Sequence, residues 1–193
     1  MPEKQKFIVG ISGASGIVYG IRLLQVLKPM PQIETHLVMS RSAEVALAHE
    51  TDLKVKDVTA LADIVHAPHD IASSLSSGSV KTLGMVIAPC SIRTISEIAT
   101  GVTSTLLSRA ADVTLKERRR LVLLLRETPL HLGHIRTMAQ VTEAGAIVMP
   151  PVPAFYIRPR SVEDLVDHTV GRVLDLFGID TPLVRRWKEE GEN

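Results

Sequence analysis

Short, almost wholly apolar runs recurring between helical patterns constrain this chain more than any other feature. Residues 6–11 (KFIVGI), 33–39 (IETHLVM), 84–88 (GMVIA), 121–125 (LVLLL) and 146–149 (AIVM) are too short for buried helices and are bounded by turn residues, so they read as strands. The run 84–88 is closed by Pro89, and a weaker strand is expected at 64–66. Between these runs, Ile17, Ile21, Leu24 and Leu27 share one helix face that stops before Pro29. Further helical patterns cover 42–50, 58–62, 94–100, 106–119, 131–144 and 161–177. Strands that are apolar on both sides need cover on both faces, and strand–helix alternation supplies it. The expected fold is α/β, a three-layer, Rossmann-like, doubly wound parallel sheet in a single domain over 1–193. Residues 150–153 (PPVP) read as a rigid extended connector, and no internal repeat or domain linker is evident.

Charge excludes some functions. Lys and Arg total 22 against 21 Asp and Glu, a formal net charge of +1 with no basic block, which argues against a nucleic-acid binder. No apolar run approaches the ~20 residues of a membrane span. The start, MPEKQK, lacks signal-peptide character. A single Cys rules out an internal disulfide framework and suits a reducing compartment, so a cytoplasmic location is expected.

In a parallel sheet, ligands sit where strand C-termini meet helix N-termini. Three such places carry unusual residues. Gly10, Gly13 and Gly16 are spaced GxxGxxG around Ser12, Ala14 and Ser15. Small residues admit a ligand close to the backbone, and a helix N-terminus offers N–H groups to a phosphate. The spacing is not the dinucleotide GxGxxG, and Ser40-Arg41 ends the second strand without an acidic residue for a ribose. A mononucleotide such as FMN fits better than NAD or ATP; a tight turn without ligand is the plain alternative. At the second place, 89–94 (PCSIRT), Ser91 and Thr94 either cap a helix or offer hydroxyls, with Arg93 as a cation. Cys90 reads as a small buried hydrophobe. At the third, Arg126 and Glu127 stand side by side, fit for an anion and a proton transfer, or for a solvated ion pair.

Arg109, Asp112 and Lys116 lie on one helix face and read as an ion ladder, followed by a water-exposed cationic end at 116–120 (KERRR). The pairs His66/His69 and His131/His134 lack the spacing and cysteine partners of zinc sequences, so no metal is expected. Phe155 and Tyr156 follow the connector, where a ring would cover a ligand, whereas Phe177 reads as packing under the last helix.

In order and spacing, GISGASG (10–16), HLVMS (36–40), ETD (50–52), SSGS (76–79), APCSIRT (88–94), RAADVTLKERR (109–119), RETPLH (126–131), PPVPAFY (150–156), 161–179 and Arg186-Trp187 resemble the flavin prenyltransferases, the UbiX family, over nearly the whole chain. The resemblance implies transfer of a dimethylallyl group from dimethylallyl phosphate to reduced FMN, without a metal. The prenylated FMN product serves UbiD-type decarboxylases, to which a hand-over is expected. It further implies a homo-oligomer, typically a dodecamer, with sites at subunit interfaces and the C-terminal helix and tail (about 161–193) on neighbouring subunits. Carried over by position, Gly13, Ala14, Ser15, Ser40, Ser91, Ile92, Arg93, Thr94 and Arg126 bind FMN. Tyr156, Arg172, Arg109 and Lys116 bind the prenyl phosphate. Ser15, Glu50, Glu127 and Lys116 take catalytic, proton-transfer or positioning roles. On this view the face of Arg109 and Lys116 turns to a neighbour's site. Two departures stand out: Ile71 where some relatives carry Trp, and Arg120 where relatives often carry Pro.

An allylic monophosphate leaves slowly unless its developing charge is neutralised, which explains a cluster of cations. A dry pocket keeps water from the allylic cation, and the serine-rich segment 70–81 is a candidate lid. Two rival functions are an FMN-dependent cysteine-peptide decarboxylase and a non-catalytic FMN carrier. The first is disfavoured because Ser91-Ile92-Arg93-Thr94 replaces that family's Ser-Ala-Asn-Thr; the second leaves Arg109, Lys116 and Arg172 unexplained.

Overall fold

A computed structural model describes residues 4–184 and Arg186; Trp187 and the rest of the C-terminal tail lie outside the described residues. Six strands form one sheet: β1 (Gln5–Ile11), β2 (Ile33–Met39), β3 (Ile64–His66), β4 (Gly84–Cys90), β5 (Arg120–Leu125) and β6 (Ile147–Val148). All neighbours pair in parallel, in the order β3-β2-β1-β4-β5-β6. The chain starts in the middle and winds outward twice, so the switch point lies between β1 and β4. That is the doubly wound sheet expected from the sequence.

The alternation of side chains explains why the strand runs are apolar throughout. Ile8, Val38, Met85, Ile87, Leu121 and Leu123 pack on one face with residues of α4 (Ile92–Thr100), α5 (Leu106–Lys116) and α6 (Leu132–Glu143). Their neighbours in the strands, Phe7, Val9, Leu37, Val86 and Val122, are equally buried and turn to the other face. There α1 (Ile17–Leu27) lies against β1 and β4, with α2 (Arg41–Glu50) beside it. Gly20 makes that approach possible, because a Cβ there would stand 2.3 Å from the carbonyl oxygen of Ala88.

Several boundaries differ from the sequence reading. β4 does not stop at Pro89 but continues to Cys90, through a cis Ala88–Pro89 bond and a register shift against β5. The short helix expected at 58–62 is α3, Val55–Thr59, because Asp57 accepts from the Lys54 amide and starts it early. α5 ends at Lys116 rather than 119, and Arg118 takes a left-handed φ of 56°. α4, by contrast, opens on its predicted cap, Ser91, and closes on Gly101 at φ 72°.

The chain divides into two compact units, residues 1–151 and 152–193, at the proline connector. The second holds a 3₁₀ turn at Phe155–Ile157 and α7 (Val162–Asp175), capped by Ser161 and burying Val166, Val170, Val173 and Leu174. Phe177 is buried at its end, as expected.

Gly20→Ala tests the α1–β4 contact. Better helix propensity would favour alanine by ~1 kcal/mol, but the clash with Ala88 should win, lowering unfolding free energy in urea by about 1–3 kcal/mol. Unchanged or raised stability would show that the helix gives way freely.

Candidate functional site

The loops at the C-terminal edge of the sheet are laced together by one serine. The Ser12 hydroxyl donates to the Pro89 carbonyl at 2.9 Å and accepts from the Ser91 amide at 2.8 Å. On either side, the Ser40 amide donates to Ile11 and the Arg126 amide to Cys90, both at 3.0 Å. The turns after β1, β2, β4 and β5 therefore form one continuous rim across the switch point, bringing together Gly13, Ala14, Ser15, Ser40, Ser91, Ile92, Arg93, Thr94, Arg126 and Glu127. The sequence reading missed Ser12; its only signal was a polar residue directly after a buried strand.

Gly13 is required by close approach, since a Cβ there would lie 2.2 Å from the Ser42 Cβ at the start of α2. Among the described residues, the amides of Gly13 and Ser15 have no hydrogen-bond acceptor. The first amides of α1 correct the sequence expectation. Those of Gly16 and Ile17 are not open to a phosphate, because both donate to Glu50 Oε2, at 2.9 and 3.1 Å. Glu50, at the end of α2, is thereby fixed beside Ser15.

Ser40 and Ser91 act as caps, accepting from the Ala43 and Thr94 amides at 3.1 and 3.2 Å. The Thr94 hydroxyl meets Ser91 Oγ at 3.0 Å. Arg93 reaches back along α4 to Glu97. Burial pushes Glu97 up, but hydrogen bonds from Ser104, Ser108 and Arg93 outweigh it and hold its carboxyl below the usual range. Cys90 is fully buried, and burial pushes its thiol far up, so it is no nucleophile. Arg126 and Glu127 do not pair with each other: Glu127 accepts from the Thr128 amide, and the Arg126 guanidinium has no partner among the described residues. Both are exposed on the rim.

Lys116 is far from this rim in the same chain. α5 leads into the start of β5, and Arg126 follows the end of that strand. Six residues of β5, roughly 20 Å, separate the two levels. The expected ladder forms only in part. Arg109 pairs with Asp112 at 2.7 Å, but Lys116 turns to Glu117. Nor is the cationic end wholly given to water, since the Arg119 guanidinium donates to the carbonyls of Gly78 and Val80.

These contacts tie down the serine-rich segment. Arg109 also donates to the Ser76 carbonyl at 3.2 Å. At its other end the Ser73 hydroxyl meets His66 Nδ1 at 2.8 Å, His66 Nε2 meets His36 Nδ1 at 2.9 Å, and His36 Nε2 meets Glu34 at 2.9 Å. His66 thus serves a hydrogen-bonded chain, and His131 caps α6 by accepting from the Gly133 amide. Among the described residues, no three His, Cys, Asp or Glu side chains come together as a metal site requires.

In the second unit, the Tyr156 hydroxyl lies 3.1 Å from His168 Nε2. Arg172 pairs with Asp175 at 2.7 Å, and Arg186 binds the other oxygen of that carboxylate at 3.2 Å.

Comparison with known proteins fits this rim. Residues 1–174 match the family model described as Flavoprotein. "Flavin prenyltransferase UbiX" of Escherichia coli (strain K12) is 60% identical over 186 residues, covering 95% of this chain and 98% of that protein. The chain belongs to the UbiX family of flavin prenyltransferases. A crystal structure of a UbiX protein (AnUbiX, PadA1) in complex with FMN and dimethylallyl pyrophosphate superposes with a TM-score of 0.95 at 49% identity, covering 98% of this chain and all of that one. A dodecameric FMN-dependent UbiX-like decarboxylase from Escherichia coli O157:H7 gives 0.93 at 48% identity, covering 95% and 100%. No helix among the described residues is long and apolar enough to cross a membrane.

Two measurements follow. Glu50→Ala leaves two α1 amides without their acceptor and should cost about 0.5–2 kcal/mol in urea unfolding, with Glu50→Gln recovering part; equal stability of all three proteins would remove the capping role. Acid sensitivity is the second. Burial, then the charge of His36, lowers His66, and burial, then Arg172, lowers His168, both from the usual 6.5. The unfolded chain therefore takes up protons that the folded one resists. The stability from these groups is present above about pH 6.5 and lost as pH falls through it. Unfolding free energy should drop as pH falls below about 6.5, and less so in His66→Asn; an equal drop in both would clear His66.

Proposed function

We propose that this protein transfers the dimethylallyl group of dimethylallyl phosphate to reduced FMN, yielding prenylated FMN for a UbiD-type decarboxylase. The observation that carries the reading is the kinship with a flavin prenyltransferase along almost the full chain. The rim is chemically suited to a flavin mononucleotide: a small-residue turn closed to a Cβ at Gly13 and, among the described residues, two amides without acceptors and an Arg126 guanidinium without a partner. In this reading Gly13, Ala14, Ser15, Ser40, Ser91–Thr94 and Arg126 hold FMN. Reduced FMN, when bound, supplies the nucleophilic N5 and C6 positions that take the prenyl carbons.

The chain's own residues do the rest. Arg172, Tyr156, Arg109 and Lys116 neutralise charge on the departing phosphate, a stabilisation that strengthens as water is excluded. Glu127, exposed on the rim and unpaired with Arg126, moves the proton. Glu50, anchored by two amides, fixes Ser15 beside the flavin. The segment 70–81 closes over the prenyl group, with Ile71 exposed on it.

Assembly belongs to the same proposal. Lys116 stands roughly a strand length from the rim of its own chain, so a site that includes it draws it from a neighbour. We assign a homododecamer with sites at subunit interfaces, the C-terminal helix and tail lying on neighbouring subunits. The reading extends to a cytoplasmic location, in keeping with a single free, buried cysteine.

Anaerobic incubation with reduced FMN and dimethylallyl phosphate should add one C5 unit to the flavin mass; bound but unmodified FMN would instead make the protein a carrier. Arg172→Ala should weaken prenyl-phosphate use by ~30-fold or more, since losing one partner of a desolvated pair costs ~2–5 kcal/mol, while FMN still binds. Ser15→Asp should lose FMN and keep the fold. Light scattering should give a closed oligomer, and an active monomer at micromolar concentration would refute shared sites.

A further inference from the structure

His168 is the residue that the proposed chemistry leaves unexplained. It sits one turn before Arg172 on α7 and is only 5% exposed. Its Nε2 lies 3.1 Å from the Tyr156 hydroxyl, with the two rings edge to face at 5.6 Å. Its Nδ1 is buried and has no hydrogen-bond partner among the described residues. Burial, then the neighbouring Arg172, holds the imidazole below its usual value, so it is neutral near pH 7.

A neutral imidazole carries one N–H and one bare nitrogen, and here only one position has a partner. With the proton on Nδ1, a buried donor would be orphaned, and Nε2 would draw the Tyr156 proton onto itself. The phenol would then turn lone pairs outward, toward an anion. With the proton on Nε2, the donor is satisfied by the phenol oxygen and only a lone pair is left bare. Orphaned buried N–H groups are rarer than under-used acceptors. In the second arrangement the Tyr156 O–H proton is not spent on His168.

We propose that His168 is a positioning residue, whose Nε2–H donates to the Tyr156 oxygen and aims the phenol proton at the phosphate of the prenyl donor. The inference rests on the reading that Tyr156 binds that phosphate. It assigns no proton transfer to His168 and deepens the role of the tyrosine alone.

The test compares His168→Leu, His168→Gln, Tyr156→Phe and the double variant Tyr156→Phe/His168→Leu. His168→Leu should raise KM for dimethylallyl phosphate about three- to tenfold, the worth of one hydrogen bond, leaving FMN affinity unchanged. His168→Gln, which keeps an N–H donor, should recover most of it. In the Tyr156→Phe background, His168→Leu should add nothing. Equal KM for the Leu and Gln variants, or an undiminished effect without the phenol, would overturn the proposal. If Tyr156→Phe itself leaves KM unchanged, the phosphate reading of Tyr156 falls first and takes this inference with it. Nitrogen-15 NMR of the wild-type protein gives a readout independent of turnover: His168 should carry its proton on Nε2, and a ring protonated on Nδ1 would overturn the assignment.

Discussion

The Ser12 hydroxyl, buried between the ends of β1 and β4, is the contact on which the working edge of this molecule depends. A doubly wound sheet splays its loops apart at the switch point, leaving a crevice with no strand to bridge it. Ser12 spans that crevice with one donated and one accepted hydrogen bond, and backbone bonds extend the lacing to Ser40 and Arg126. Each bond stabilises by only ~1 kcal/mol. Their joint effect is geometric: the loops that carry Gly13, Ser91 and Arg126 keep a fixed spacing, and a fixed spacing is what a flat, rigid ligand needs.

Charge is arranged with equal economy. All three cations proposed for the prenyl phosphate have a carboxylate on their own helix or next to it: Arg109 with Asp112, Lys116 with Glu117, and Arg172 with Asp175. Arg126, proposed for FMN, has no guanidinium partner among the described residues. Partly exposed pairs of this kind are worth ~0–1 kcal/mol, so under the proposed function a desolvated phosphate would displace the carboxylates at small cost. The pairs keep the cations oriented and the net charge near zero while no anion is bound.

The serine-rich segment combines two sorts of restraint. Arg109 and Arg119 hold its carbonyls, and the Glu34–His36–His66–Ser73 chain holds its start. Few apolar side chains anchor it: Leu75 is buried, while Ile71 is exposed. A segment fastened by polar contacts opens at lower free energy than one packed into the core, as the proposed cover over the prenyl group would require.

The sequence by itself determined the architecture. Apolar runs of four to seven residues, alternating with helical periodicity, admit little besides a parallel sheet covered on both faces, and the strands fell where those runs lie. It also marked the rim, because glycine, serine and arginine at strand ends are local chemistry: Ser91 capped α4 as expected. Errors arose where a local rule met a tertiary partner. Pro89 did not end β4, because Ser12 and β5 hold the strand on either side of it. The α1 amides were not open, because Glu50, 34 residues away, occupies them. The ladder on α5 was half right, because Arg109 pairs with Asp112 as expected while Lys116 found Glu117. Ser12 and His168 went unread for the same reason. Their importance lies in a partner on another element, and a hydrogen bond between distant segments leaves no periodicity, propensity or spacing for a sequence to display; only the fold brings its two ends together.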